Sequence, residues 1–167
     1  LATTLRANAV SVVGPTQNFI LLEDGSVLAG DGAAPFSPAV PPVGTGFWID
    51  LYASAADDIW AASATLPLRR WDGDAWQVDA SAPVARGLAG IASDRVIAFD
   101  SAALYLWDGV TWTSLGNGVA TGTFVDAWVG STTFALAVTS SGDVVSTDGV
   151  SVTRELEGPS SSAAAVF

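Results

Sequence analysis

Four of the Asp-Gly pairs in this chain recur at nearly constant spacing. The pairs are Asp31-Gly32, Asp72-Gly73, Asp108-Gly109 and Asp148-Gly149, separated by 41, 36 and 40 residues. A short apolar run precedes each pair: Phe19-Ile20-Leu21-Leu22, Ile59-Trp60-Ala61-Ala62, Val96-Ile97-Ala98-Phe99 and Phe134-Ala135-Leu136-Ala137, spaced by 40, 37 and 38. A second apolar segment precedes each run, at 10–13, 49–53, 88–92 and 125–129. Two independent landmarks that keep one period define four copies of a unit of about 39 residues. The repeats run at about 7–44, 45–84, 85–121 and 122–158, and 159–167 would start a further repeat or form a tail.

Each unit parses into four short strands. In the second copy they are expected near 47–53, 59–63, 67–71 and 76–79, as apolar runs closed by Gly, Pro, Asp or Ser. Runs of four or five residues have strand length and are too short for helices. The Asp-Gly pair falls between the third and fourth strands, where a tight hairpin needs residues that tolerate positive φ. Calcium loops instead gather several oxygens at alternate positions. Asp72 with Asp74 comes nearest to that pattern, and the other three pairs have no matching partner, so these are turns. Four-stranded units of about 40 residues, repeated, have the pattern of β-propeller blades. The expected fold is therefore all-β, with four antiparallel four-stranded sheets, standing alone or as part of a larger propeller. Packing sheet on sheet explains a 50% hydrophobic content that contains no long apolar element. A β-sandwich would not require so strict a period.

Composition narrows the function. The 167 residues hold 17 acidic residues against six Arg and no Lys, for a net charge of −11. Such a surface repels a phosphate backbone, so nucleic acid is not an expected partner. His, Cys and Met are absent, which removes thiol chemistry, imidazole bases, Ser-His-Asp triads and the usual zinc, haem and iron–sulfur ligands. No metal, no cofactor and no enzymatic activity are expected. Apolar stretches are short and interrupted, so no transmembrane segment is expected.

Several motifs resemble those of a known repeat family. The second copy reads Leu51-Tyr-Ala-Ser-Ala-Ala-Asp-Asp-Ile-Trp-Ala-Ala-Ser63, then Leu68-Arg-Arg-Trp-Asp-Gly-Asp-Ala-Trp-Gln77. This resembles a bacterial β-propeller repeat of the form W-A-S-x-x-x-D-V-W-A-V-G followed by W-D-G-x-x-W. The third copy matches through Ile91-Ala-Ser-Asp-Arg-Val-Ile-Ala98 and Leu106-Trp-Asp-Gly-Val-Thr-Trp-Thr113. The fourth matches through Trp128-Val-Gly-Ser131 and Thr147-Asp-Gly149 but lacks both hairpin Trp residues. The first diverges most, and its Leu21–Gly30 segment reads like a kelch-type hairpin. The resemblance implies an exported protein (periplasmic, cell-surface or extracellular) and carries little chemistry. The W-D-G-x-x-W hairpin is also similar to tectonin-type propellers, several of which are lectins, and this implies carbohydrate binding as the alternative. A sialidase-type D-x-G-x-T-W box is not present, because Asp and Gly are adjacent in all four copies.

The candidate ligand or partner aromatics are Trp71, Trp76, Trp107 and Trp112, which flank two hairpins and could also pack between sheets. Asp50 and Asp126 stand at matching places in first strands, two residues before Tyr52 and Trp128, with Val10 and Ala89 as the equivalents elsewhere. Two carboxylates facing one channel could bind a cation or act as an acid/base pair, and a glycan-active enzyme fragment is the least favoured reading. One of Arg69 and Arg70 is expected to pair with Asp72 or Asp74, leaving the other for a partner. The stretch Pro35-Phe-Ser-Pro-Ala-Val-Pro-Pro42 reads as a stiff protruding loop. Thr3-Thr4-Leu5 stands where the fourth strand of a preceding unit would be, and 163–167 where a further first strand would begin. A slice of a six- to eight-bladed propeller is expected, or a four-bladed disc with short extensions. The expected function is a non-catalytic binding or scaffolding module that docks on other protein subunits, in an exported assembly or one peripheral to a membrane.

Overall fold

The computed structural model describes residues 5–79, 81–118 and 120–158. Among them every regular element is a strand, and the strands form four sheets. Sheet 1 contains β1 (Ala7–Gly14), β2 (Gln17–Leu22), β3 (Val27–Gly30) and β4 (Ser37–Val40). Sheet 2 contains β5 (Trp48–Ala55), β6 (Asp58–Ser63), β7 (Arg69–Trp71) and β8 (Trp76–Val78). Sheet 3 is β9 (Gly87–Ala92), β10 (Arg95–Phe99), β11 (Leu104–Trp107) and β12 (Trp112–Gly116). Sheet 4 is β13 (Phe124–Ser131), β14 (Phe134–Thr139), β15 (Val144–Thr147) and β16 (Val152–Leu156). Each sheet is an antiparallel meander whose spatial order is its chain order. The repeat parsing of the sequence thus corresponds to one sheet per copy. Of the terminal segments expected to end or begin further units, Thr3, Thr4 and 163–167 lie outside the described residues, and Leu5 is exposed and belongs to no strand.

The chain divides into two compact units, residues 1–85 and 86–167. In the first, β1 and β2 of sheet 1 pack on β5 of sheet 2. Period-2 alternation sends Phe19, Leu21 and Val27 from sheet 1 against Leu51, Ala53, Ile59 and Ala61 of sheet 2. The second unit repeats this with Ile97, Phe99 and Leu106 of sheet 3 against Ala127, Val129, Ala135 and Ala137 of sheet 4. Alanines at the contact let two backbones approach closely, so four-residue strands can still exclude water. β6 and β10 are buried at every position.

The four Asp-Gly turns have one construction. Three form four-residue loops and the first, 31–36, is six residues long; in each, Gly alone takes positive φ: 80° at Gly32, 96° at Gly73, 96° at Gly109 and 93° at Gly149. Gly, not Asp, supplies the positive φ that the hairpin needs, since no described non-glycine residue adopts it. Asp acts through its side chain instead. Oδ1 of Asp72 accepts the amides of Asp74 and Ala75 at 3.0 and 2.9 Å, and Asp108 accepts those of Val110 and Thr111 at 2.9 and 2.8 Å. Asp148 and Asp31 do the same two and three residues on. A carboxylate that accepts two amides satisfies donors the short loop cannot pair otherwise.

Those amides hold the carboxyls of Asp31, Asp72, Asp108 and Asp148 below the ordinary value of 3.8. Asp143, in the β14–β15 turn, is lowered in the same direction by the amides of Thr121 and Gly158. A depressed folded-state pKa stabilises the fold above the unfolded-state value and ceases to do so as pH falls through the folded value. Stability contributed by the hairpins should therefore be constant above pH 5 and be lost below about pH 4. The triple variant Asp72→Asn, Asp108→Asn, Asp148→Asn keeps the acceptor oxygens without the titration. Thermal melts should show wild type losing more stability than the variant as pH is lowered through this window. Parallel losses would show that the hairpin carboxylates do not govern the acid limb.

The Pro-rich segment is not a protruding loop, which corrects that expectation. Residues 37–40 form β4, the edge strand of sheet 1, where Pro38 is tolerated because one side of an edge strand needs no ladder bonds.

Candidate protein-binding surface

The four hairpin tryptophans form two cross-strand pairs. Trp71 lies opposite Trp76, with ring centroids 6.0 Å apart and planes at 53°, and Trp107 opposite Trp112, at 5.7 Å and 41°. Trp71, Trp107 and Trp112 are buried and Trp76 is half-buried. The Trp76 indole N–H donates to the Pro41 carbonyl at 2.8 Å, and that of Trp107 to Ser93 at 3.0 Å. Trp71, Trp107 and Trp112 turn their ring faces into the protein, and the N–H groups of Trp76 and Trp107 hold their hairpins to neighbouring backbone.

Asp50 and Asp126 occupy one position of the repeat. A bulge precedes each, between Trp48 and Asp50 and between Phe124 and Asp126, and each Oδ1 accepts the next residue's amide, from Leu51 at 2.8 Å and Ala127 at 2.9 Å. Both carboxylates are half-buried, Asp50 in the first unit and Asp126 in the second. Strand register corrects their equivalents. Asp50 faces Ala62 and Asp126 faces Val138, and the corresponding pairings are Ala9 with Leu21 and Gly87 with Phe99. The matching residues are thus Ala9 and Gly87, because the bulges shift the sequence alignment.

Neither arginine of β7 pairs with Asp72 or Asp74, contrary to expectation. Arg70 Nε donates to Asp58 Oδ1 at 2.6 Å, and its guanidinium stands 5.4 Å from the Trp60 ring centroid. Asp58 is buried and also accepts the Ser54 hydroxyl. Burial, then the Asp58 charge, push the Tyr52 phenol up to about 12. Arg69 donates to the Val43 carbonyl and lies 5.4 Å from the Trp48 centroid. Both cations are committed within sheet 2 and its approach loop. Among the described residues no cluster of three or more acidic side chains has the arrangement of a metal site, and no helix is long and apolar enough to cross a membrane.

The remaining distinctive surfaces are apolar, and the sequence reading did not single them out. On sheet 1, Val10, Ile20, Leu28 and Pro38 form one cross-strand row. Val10 and Val12 are 61% and 68% exposed. On sheet 4, Trp128 and Phe134 are each 41% exposed and pack edge-to-face at 6.4 Å. Leu136, Val144 and the exposed Leu156 share their face, together with the buried Val138 and its cross-strand partner, the half-buried Asp126. Contiguous apolar patches of this kind on β-sheets are the usual signature of an interaction surface.

Solved structures with the same sheet arrangement place the fold. A computationally designed protein, Ika8, superposes with a TM-score of 0.72 at 13% identity, over 97% of this chain and 52% of its own. The WD40 β-propeller domain of Doa1 matches with a TM-score of 0.66 at 15% identity, over 91% of this chain and 56% of that one. The sheets are propeller blades. YCF48 bound to D1 peptide matches with a TM-score of 0.62 at 16% identity, covering 89% of this chain and 52% of that one. The chain therefore spans a little over half the length of these solved propellers. No protein-family model and no curated protein matches it. Sheets 1 to 4 are accordingly blades 1 to 4, and at these identities the likeness concerns fold alone.

Proposed function

We propose that this chain is a non-catalytic module that binds other protein through the faces of its blades, in an exported or membrane-peripheral assembly. The observation that carries the reading is the exposed aliphatic row of blade 1, where Val10 and Val12 stand out from a strand whose other face is core. Burying such side chains against a partner removes apolar area from water, the main driving force of association. A solved propeller of similar fold holds a peptide of another protein, which supports the same mode here. Export rests on the family that the repeats resemble. The lectin alternative is less favoured, because three of the four hairpin tryptophans are buried and two indole N–H groups are bonded to backbone carbonyls.

Two measurements test it together. A photo-crosslinking amino acid in place of Val12 should capture a protein as one discrete adduct in the native host, while the same probe in place of the exposed hairpin residue Val110 should not. Titration with a glycan panel, followed by tryptophan fluorescence, should be flat. Saturable binding of one glycan class that is lost on Trp76→Ala would overturn the protein-binding reading in favour of the lectin.

A further inference from the structure

Blade 1 departs from the other three at its Asp-Gly hairpin. Its loop runs over six residues, 31–36, where blades 2, 3 and 4 use four, and the added length brings in Pro35 and Phe36. The Phe36 ring packs on Gly30, where a Cβ would lie 3.1 Å from it, and this anchors the loop against the end of β3. An open groove of about 370 Å³ lies there. Its polar side chains are Thr16, Gln17, Asp31 and Ser37, and Ala29 and Pro35 belong to its apolar wall. All of these residues come from blade 1. Ala29 also packs on the core between blades 1 and 2, so the groove continues that face towards the hairpin end, opposite the face of Val10 and Val12.

Asp31 supplies the charge of this groove. Its Oδ1 accepts the Ala33 and Ala34 amides at 2.9 and 3.1 Å, which fixes the carboxylate and leaves Oδ2 for another donor. Among the described residues no donor reaches Oδ2, and the side chains of Thr16, Gln17 and Ser37 form no hydrogen bond. No arginine lines the groove. Residues 1–85 hold nine acidic side chains against Arg6, Arg69 and Arg70, and the last two are committed to Val43 and Asp58. The field of this unit therefore favours a cation and opposes an anion. A volume near the lower end of the roughly 300–1,000 Å³ of small-ligand sites suits one long side chain.

We infer that the groove at the hairpin end of blade 1 receives an arginine side chain of a partner protein. The methylenes lie along Ala29 and Pro35, and the guanidinium donates to Oδ2 of Asp31. The Gln17 carbonyl and the Thr16 and Ser37 hydroxyls are the further acceptors. A guanidinium presents five donors in one plane and is more weakly hydrated than an ammonium, so it suits several acceptors around one carboxylate better than lysine does. This site goes beyond the aliphatic row of the proposed function, and rests on that reading only for the source of the side chain.

Chemical-shift titration of the isotope-labelled chain with Nα-acetyl-arginine amide tests this. The amides of Gln17, Gly32, Ala33 and Ala34 should shift together and saturate. Asp31→Asn keeps the acceptor oxygen of the turn, and should bind the probe about tenfold more weakly through loss of one charge-assisted bond. If that variant melts early, Gln17→Ala, which leaves the turn intact, should weaken binding in its place. Nα-acetyl-citrulline amide, the neutral isostere, should bind wild type about as weakly as arginine binds Asp31→Asn. Asp72→Asn, in the four-residue turn of blade 2, should leave the affinity unchanged. No saturable shift, equal binding of the citrulline probe, or equal shifts at the turns of Asp72, Asp108 and Asp148 would each overturn the site. Equal binding of Nα-acetyl-lysine amide would overturn the choice of arginine. The crosslink at position 12 fails separately: a saturable titration without that crosslink overturns the blade-face reading and leaves the groove, and a flat titration with it does the reverse.

Discussion

Replacing Trp48 with alanine is expected to destabilise the first unit by about 4 kcal/mol, within the range for truncating a buried tryptophan. Trp48 is completely buried and belongs to the core between blades 1 and 2. Its indole N–H donates to the Gly44 carbonyl at 2.9 Å, and the Arg69 guanidinium stacks on its ring. Truncation would open a cavity, orphan a carbonyl in the approach loop and free an arginine that is anchored there. Urea denaturation followed by circular dichroism should show the midpoint lowered with little change in slope. A loss below about 1 kcal/mol would mean that the loop collapses into the space and that Trp48 is not a keystone of this core.

Gly87→Val should do comparable damage to the second unit through overpacking. A Cβ at Gly87 would lie 2.0 Å from Cζ of Phe99 and within 2.7 Å of two further ring carbons. Phe99 is itself buried in the core between blades 3 and 4, so its ring cannot step aside without disturbing Leu104 and Leu106. The cost should be about 3 kcal/mol, at the upper end for inserted volume in a packed interior. The double variant Gly87→Val, Phe99→Ala provides the check. If steric conflict is the cause, the second substitution should cost far less in the Gly87→Val background than in wild type. Additive losses would point to a backbone role for Gly87.

The period was legible because the same turn chemistry is needed four times. An Asp that accepts two amides and a Gly at positive φ leave a residue pair the eye can count. Strand length and the facing of Trp71 on Trp76 followed from spacing alone. The bulges were not legible, since a single inserted residue before Asp50 or Asp126 has no composition of its own. For that reason Val10 and Ala89 stood in for Ala9 and Gly87. The arginine partners were missed because they depend on which strands lie side by side: Asp58 reaches Arg70 across the β6–β7 pair, not along the chain. The open faces were hidden for a related reason. Val10 and Leu51 look alike in an apolar strand, and only the packed structure tells which has a neighbour.

The Asp-Gly loops have a consequence for how such a chain can change over generations. Each turn is held from its first two positions, by a carboxylate on the following amides and one glycine. The third position contributes only its backbone amide. Its occupants here are as different as Asp74, Val110 and Val150, and the last two are 77% and 85% exposed. Selection can therefore rewrite these tips without renegotiating the core, and insertions there should be tolerated better than anywhere within the strands. A repeat built this way separates heritable shape from heritable specificity: duplication copies the blade, and the tips are left to diverge.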